Sequence, residues 1–463
     1  MKQNKYEMDM CSGSILRKIV SFSVPLMLTG IFQLFYNAAD IIVVGRFTGS
    51  EALAAVGSTS SLINLLVNLF IGLSVGTSVV VAQHYGAGDH EGVESAVHTS
   101  ITLGLISGFG VGLVGILLAK PLLAWMGSPP DVIDAASLYM RIYFIGMPAN
   151  MLYTFGSAIL RAVGDTRRPL AFLTVAGLTN VTLNLIFVIV FHMGVAGVAW
   201  ATILSQGISA ILVLRCLMQS GGSVQVSLRR LRIDGAALRK IAVIGLPAGL
   251  QSSLFSISNV LIQSSINSFG SVVMAGSAAS SSVEGFVYTV MNSVYQACLT
   301  FVGQNRGARQ YRRVRRTLWV CLGLVSAVGI TVGTLVSLLS APLLSIYNTD
   351  PEVIRQGMIR LEIICSTYFL CGLMEVLVGQ LRGLGYSLVP MIVTLGGVCG
   401  LRIVWVYTVF AAAPSLALLM WSYPLSWGIT VLFHLATYLS VQRKLPKEDF
   451  PLPEADCPVT IGA

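Results

Sequence analysis

Charge is scarce in this chain. Asp, Glu, Lys and Arg make up 11% of its 463 residues, whereas 55% are hydrophobic and the mean hydropathy is +0.79. A soluble domain carries roughly a quarter of its residues charged, so that class is excluded. Other absences narrow the chemistry. No HExxH, no GxSxG and no paired-carboxylate motif for prenyl diphosphate chemistry occurs, so the chain does not read as an enzyme and no cofactor is expected. The eight cysteines show no CxxC spacing and lie mostly in apolar runs, where Cys behaves as a small hydrophobe; neither disulfides nor a metal cluster are expected. The opening MKQNKYEMDMCSGSILRK lacks a short apolar core followed by a small-residue cleavage site, so no removable signal peptide is expected.

What is present is a series of apolar runs long enough to cross a bilayer, separated by short segments of Gly, Pro and charge. Twelve are expected, at residues 15–45, 53–83, 93–120, 132–160, 168–191, 194–217, 238–267, 272–303, 314–340, 352–381, 388–412 and 415–441. The fold class is therefore an all-α integral membrane protein of twelve transmembrane helices. The net charge of +9 does not indicate a nucleic-acid partner, because the basic residues cluster on alternate loops. Lys18, Arg161, Arg167, Arg168, Arg229, Arg230, Arg232, Arg312, Arg313, Arg315, Arg316, Arg443 and Lys444 fall in the tails and even-numbered loops. The odd loops hold essentially Arg46 and Lys120, with Arg141, Arg355 and Arg360 in adjoining helices. By the positive-inside rule both termini are cytoplasmic and the protein is multi-pass in the plasma (inner) membrane.

The chain repeats itself. RKIVSFSVP, ending at Pro25, matches RKIAVIGLP, ending at Pro247, and after a one-residue slip the offset settles at 221. AQHYGAG (82–88) then falls on GQNRGAR (303–309), PLLAWMGSPPDVI (121–133) on PLLSIYNTDPEVI (342–354), and LRAVGDTRRP (160–169) on LRGLGYSLVP (381–390). Each half has six spans, so both halves share one topology, and two lobes related by a pseudo-two-fold axis along the membrane normal are expected, with a cavity between them. The corresponding domains are a cytoplasmic tail (1–14), an N-lobe (15–218), a cytoplasmic linker (219–237), a C-lobe (238–442) and a C-terminal tail (443–463).

Polar residues inside the spans point to function. Gln33, Asn37 and Asp40 follow i, i+4, i+7 on one face of the first span. Amides commonly join helices, but a carboxylate is costly in hydrocarbon and persists where it faces protein or water. Asn64 and Asn68, Asn180 and Asn184, and Thr202 with Gln206 and Ser209 add polar stripes in the same half, and Tyr139 and Tyr143 lie in the fourth span. In the second half Ser252, Ser256, Asn259, Gln263 and Asn267 form an uncharged stripe, with Ile262 at the position of Asp40. Glu284 shares a stripe with Ser277, Ser281, Tyr288 and Tyr295, and Glu375 is a second acid there. The substrate cavity is assigned to Gln33, Asn37, Asn64, Asn68, Asn259, Gln263, Glu284, Tyr288 and Glu375; for Glu375 an ion pair with Arg382 or Arg402 is the competing reading. Pro25 and Pro247 each remove a backbone hydrogen bond at matching places and are candidate hinges.

The stretch VPLMLTGIFQLFYNAADIIVVGRFTGSEALAAVG, the AQHYGAG and GQNRGA loops, LRAVGDTRRP and GVAGVAWATILSQ together resemble the multidrug and toxic compound extrusion (MATE) family, and within it the bacterial DinF-like branch, from about Leu16 to Leu439. The resemblance implies a secondary active antiporter that exports amphipathic, often cationic organic compounds by alternating access, in exchange for protons or sodium. It also implies an ion-coupling network of Asp40, Tyr139, Asn180, the position of Asn184, and Thr202, with sodium, if it is the ion, at Asp40, Asn180 and Thr202. Asn184 stands where other members carry an aspartate, which removes one carboxylate from the coupling site. A small organic substrate and the bilayer are the partners expected, with no required protein partner and a monomer. The rival is a lipid-linked oligosaccharide flippase, whose cavity would need several basic side chains; here only Arg402 is read as lying deep in a span.

Overall fold

In hydrocarbon a backbone must satisfy its own hydrogen bonds, so apolar runs of this length have helix as their only single-chain solution apart from a closed barrel. The structure, a computed structural model, describes residues 7–48, 50–126 and 130–450; Cys457 and the outer ends of both tails lie outside them. The first half comprises α1 (Ile15–Phe47), α2 (Ser50–Gly86), α3 (His90–Trp125), α4 (Pro130–Ile145), α5 (Met147–Ala162), α6 (Arg167–Leu185) and α7 (Gly194–Gln219). The second comprises α8 (Gly235–Asn267), α9 (Ser271–Gly307), α10 (Tyr311–Leu338), α11 (Ser340–Ser345), α12 (Pro351–Ser366), α13 (Tyr368–Gly383), α14 (Leu388–Thr394), α15 (Leu401–Trp405), α16 (Leu416–Met420) and α17 (Ser422–Gln442). Wider π-helical turns occupy Ile186–Val190, Leu395–Gly400 and Val406–Phe410.

Among the described residues nine helices are long and apolar enough to cross a membrane, and the pair α12–α13, bent by 44°, makes a tenth. The expected spans at 132–160 and 272–303 are met by α4–α5 and by α9. The latter has 37 residues, about 55 Å of helix, well beyond a hydrocarbon core of about 30 Å. Two expected continuous spans, 132–160 and 352–381, are each broken in two. The first breaks at Gly146, where Pro148 sits in the opening turn of α5 and cannot donate a backbone hydrogen bond. The second breaks at Thr367, whose hydroxyl donates back to the carbonyl of Ile363 at 2.7 Å. These two breaks are 221 residues apart. Each rests on a neighbouring helix with no side chain at the contact: Gly108 and Gly112 of α3 meet Pro148 and the Phe144 carbonyl, and Gly329 and Gly333 of α10 meet Phe369 and the Cys365 carbonyl.

The loops repeat as closely. The amides of Asp89 and Gln310 donate to the carbonyls of His84 and Asn305 at 3.1 and 2.9 Å, and those of Asp165 and Tyr386 to Leu160 and Leu381 at 2.9 Å each. This six-to-one closure of a helix end needs a left-handed residue just before the donor. Gly164 (φ 93°) and Gly385 (φ 84°) supply it in one pair; Gly88 (φ 70°) and Arg309 (φ 56°) supply it in the other. Thus the offset of 221 read in the sequence is an offset of backbone conformation too.

The chain folds as two compact units, Met1–Asp9 with Leu28–Gly249, and Met10–Met27 with Leu250–Ala463. They differ from the expected lobes in which halves of α1 and α8 they take. In the first unit the opening half of α8 packs on α2 through glycine: Gly72 lies against the backbone of Gly245 and Gly249, and Gly76 against the Ile241 carbonyl. The preceding linker is tied to the start of α3, with the Ser227 amide donating to His98 Nε2 (3.1 Å) and the Asp234 amide to Thr99 Oγ1 (3.0 Å). In the second unit the opening half of α1 packs Phe22 edge-on to Phe301, ring centroids 6.0 Å apart. The segment before it is held by Arg313, which donates to the carbonyls of Met10, Gly13 and Ser12 at 3.0, 2.9 and 2.6 Å. In both helices the change of unit falls two residues beyond the internal proline, Pro25 or Pro247.

A Cβ at Gly76 would meet rigid backbone, whereas one at Gly323 would meet nothing within 4 Å. Gly76→Leu is therefore expected to destabilise the first unit by about 1–3 kcal/mol and to lower the melting temperature in detergent, with Gly323→Ala unchanged or slightly raised. Equal melting of the two variants would remove the glycine contact from the account.

Candidate functional site

Asp40 lies in the second half of α1, which belongs to the first unit. Its nearest partner comes from α6. Asn184 donates from Nδ2 to Asp40 Oδ1, and the same amide nitrogen reaches Asn180 Oδ1 at 3.2 Å. Asn180 in turn donates to Thr202 Oγ1 on α7 at 3.5 Å, and Thr202 donates to the Val198 carbonyl at 3.0 Å. Spacing explains the arrangement: Asn180 and Asn184 sit one turn apart, so both amides face the same helix pair. Asn184 is fully buried and its Oδ1 has no hydrogen-bond partner among the described residues. Tyr139 and Tyr143 of α4 stack with ring centroids 6.2 Å apart. The cluster therefore offers one carboxylate and several amide and hydroxyl oxygens, with no basic side chain bonded to Asp40 among the described residues. Such a site suits a small cation or a proton.

The other candidates in the first unit do not join this cluster through described contacts. Gln33, Asn37 and Asn64 are exposed, and Asn68 is half-buried. In the second unit Asn259 and Gln263 are exposed, Gln263 donating to Asn267 Oδ1 at 2.9 Å. Tyr288 accepts from Asn292 Nδ2 at 3.4 Å. Glu284 is buried and engaged, its two oxygens receiving Nε and Nη2 of Arg360 at 2.7 and 2.9 Å, while Arg360 Nη1 donates to Ser277 Oγ at 2.6 Å. The buried ion pair made here joins Glu284 to Arg360, which is not one of the partners considered for Glu375. Arg382, the partner considered for Glu375, donates to Tyr295 Oη and Gln251 Oε1, both at 2.9 Å.

The reading of Arg402 as the single deep arginine needs correction as well. Arg360, Arg382 and Arg402 are all buried in the second unit, at 7%, 5% and 1% exposure. Arg360 was assigned to a helix beside a loop. Its acidic partner lies 76 residues away in sequence, so no local pattern marks it.

Among the described residues the structure is all helical, and Asp40 is held among amides inside a span. Residues 25–186 and 247–408 each match the MatE family, and the chain belongs to it. It is 29% identical over 388 residues to the probable multidrug resistance protein YpnP of Bacillus subtilis, covering 84% of this chain and 86% of that protein. With the probable multidrug resistance protein YoeA of the same organism it shares 27% identity over 439 residues, 93% of this chain and 95% of the relative. The solved structure of a MOP superfamily transporter from Pyrococcus furiosus superposes with a TM-score of 0.90 at 21% identity, over 96% of this chain and 99% of that one, which is a likeness of fold.

Removing one partner of a buried pair strands the other charge, at a cost of about 3–5 kcal/mol. Glu284→Gln is expected to lower the melting temperature in detergent sharply, and Glu284→Gln with Arg360→Gln to recover much of the loss. If the double variant melts below both single variants, Glu284 and Arg360 are not a coupled pair.

Proposed function

We propose that this chain exports amphipathic, often cationic organic compounds by secondary active antiport, with Asp40 as the group that couples transport to protons or sodium. The observation that carries the reading is the Asp40–Asn184–Asn180–Thr202 chain of hydrogen bonds inside the first unit. A carboxylate placed in a span without a basic partner is a costly choice, and such residues characteristically take up ions or protons. An ion bound there changes the relative stability of two conformations, and a substrate that favours the opposite conformation completes the exchange. Asn184 Oδ1, buried and without a partner among the described residues, is an acceptor that a bound cation would engage. Tyr139 is assigned to the same coupling network. The exposed amides Gln33, Asn37, Asn64, Asn259 and Gln263, with Tyr288 and Glu375, are assigned to the substrate path, because exposed amides on a span are best kept where water reaches them.

The proposal includes the inner membrane, both termini cytoplasmic, lobes related by a pseudo-two-fold axis along the normal, and a monomer with no required partner protein. It also keeps Pro25 and Pro247 as hinges, supported by the change of unit two residues beyond each. The flippase alternative is not favoured: the relatives are named as multidrug resistance proteins, and two of the three buried arginines are already engaged by side chains of the second unit.

In vesicles containing the purified chain and a fluorescent organic cation, a pH gradient or a sodium gradient alone is expected to drive transport, and Asp40→Asn to abolish the response. Asn184→Asp adds the second carboxylate and is expected to strengthen any sodium dependence. Transport in Asp40→Asn matching that of the unaltered chain would remove Asp40 from the coupling role.

A further inference from the structure

The second unit contains a buried cation that its own side chains do not neutralise. Arg402 is 1% exposed, and its Nε donates to Ser426 Oγ at 3.2 Å. Both terminal nitrogens, Nη1 and Nη2, are buried with no hydrogen-bond partner among the described residues. The guanidinium instead lies among aromatic rings, with its central carbon 3.9 Å from the centroid of Tyr423, 5.6 Å from that of Phe255 and 5.8 Å from that of Trp427. Rings attract a cation through their faces, but they do not supply acceptors in the plane where the two Nη groups point their hydrogens. Four or so donor hydrogens are thus left without acceptors, a cost that buried polar groups in native structures rarely bear without a reason.

Burial alone does not account for this, because the unit shows how it treats arginines whose role is structural. Arg360 has a bidentate carboxylate and a hydroxyl; Arg382 has a phenol and an amide oxygen for its two terminal nitrogens, with only Nε lacking a partner among the described residues. The backbone around Arg402 is also unusual. It sits in the five-residue α15, between the π-helical turns Leu395–Gly400 and Val406–Phe410, and such turns occur often at functional sites. Phe255 and Tyr423, which cover the guanidinium, are only half-buried. Phe255 lies one turn from the exposed Asn259, on the polar stripe of α8. Arg402 is therefore one side chain beneath a surface assigned to the substrate path.

We propose that Arg402 receives the carboxylate or phosphate of an aromatic, amphipathic organic ligand. The oxyanion takes both Nη groups as a fork, a geometry that arginine offers and lysine does not. Phe255 and Tyr423 turn aside to admit it and stack on its rings. The substrates of this chain then include organic anions or zwitterions alongside cations, a substrate class that rests on the transport reading for its physiological meaning but not for its detection.

The test is binding to purified protein in detergent, followed by fluorescence anisotropy with fluorescein, umbelliferyl phosphate and a cationic rhodamine ester as probes. The unaltered chain is expected to bind at least one anionic probe. Arg402→Gln is expected to weaken that binding by about tenfold or more, Arg402→Lys by less, with the rhodamine ester bound at least as well as before. Melting separates this from a packing role: a charge that lacks an internal partner is stabilised little by its surroundings, so Arg402→Gln should melt no lower than the unaltered chain. The proposal is overturned if neither anion binds, if Arg402→Gln binds them unchanged, or if it loses cation and anion alike together with melting temperature. Gradient-driven transport of the cation in the same preparations reports on the antiport reading separately, so either conclusion can fail while the other stands.

Discussion

Hydrocarbon accepts no hydrogen bonds, and that one fact orders this structure. It makes every span a helix, and it obliges each polar side chain within a span to be met by another part of the protein, by water or by a ligand. Where the obligation is met internally the residue holds helices together, as with Arg360 and Glu284 or Arg382 with Tyr295 and Gln251. Where it is not met, the residue is a candidate for function. Among the described residues Asp40 is met only by an amide, and Arg402 only by one hydroxyl and aromatic rings.

The same solvent explains the use of glycine. Between lipid-embedded helices there is no hydrophobic gain from association, since the tails are as apolar as leucine, and close packing has to supply the attraction. Gly72 and Gly76 against Gly245 and Gly249, and the glycines of α3 and α10 beneath the broken helices, let backbones approach with nothing between them. Such surfaces are smooth as well as close. The glycine contact of α2 holds α8 from Ile241 to Gly249, just past Pro247, and the helix beyond is fixed by side chains such as Gln251 and Phe255.

Much of this was legible from local composition. Spans announce themselves by hydropathy, and a repeat shows itself wherever loops demand particular residues; the pair Gly164 and Gly385 was readable because left-handed backbone selects glycine. Asn180, Asn184 and Asp40 were legible as polar exceptions in apolar runs. Less visible were features set by distant parts of the chain. Glu284 and Arg360 are separated by 76 residues, and nothing in either helix names the other. The interruptions at Gly146 and Thr367 leave hydropathy unchanged, because a broken helix is as apolar as a whole one. Nor does any sequence pattern tell that the segment before α1 is gripped by Arg313, since its backbone carbonyls, common to every residue, are what the arginine recognises.

The two halves share a backbone plan and differ in charge. At matching places stand the breaks at Gly146 and Thr367, the left-handed turns, and the internal prolines, yet the first half places an acid in its first span where the second has Ile262. Among the described residues the second half instead buries three arginines and leaves both terminal nitrogens of one of them, Arg402, without acceptors. Duplication supplies two equivalent scaffolds, and an ion site requires charge of one sign in only one of them. With Asp40 proposed to take a cation or proton in the first unit and Arg402 an anion in the second, the chain would discriminate a substrate by the sign of its charged group. On the proposals made above, the coupling ion is taken by Asp40 of the first unit and the anionic group of an organic ligand by Arg402 of the second.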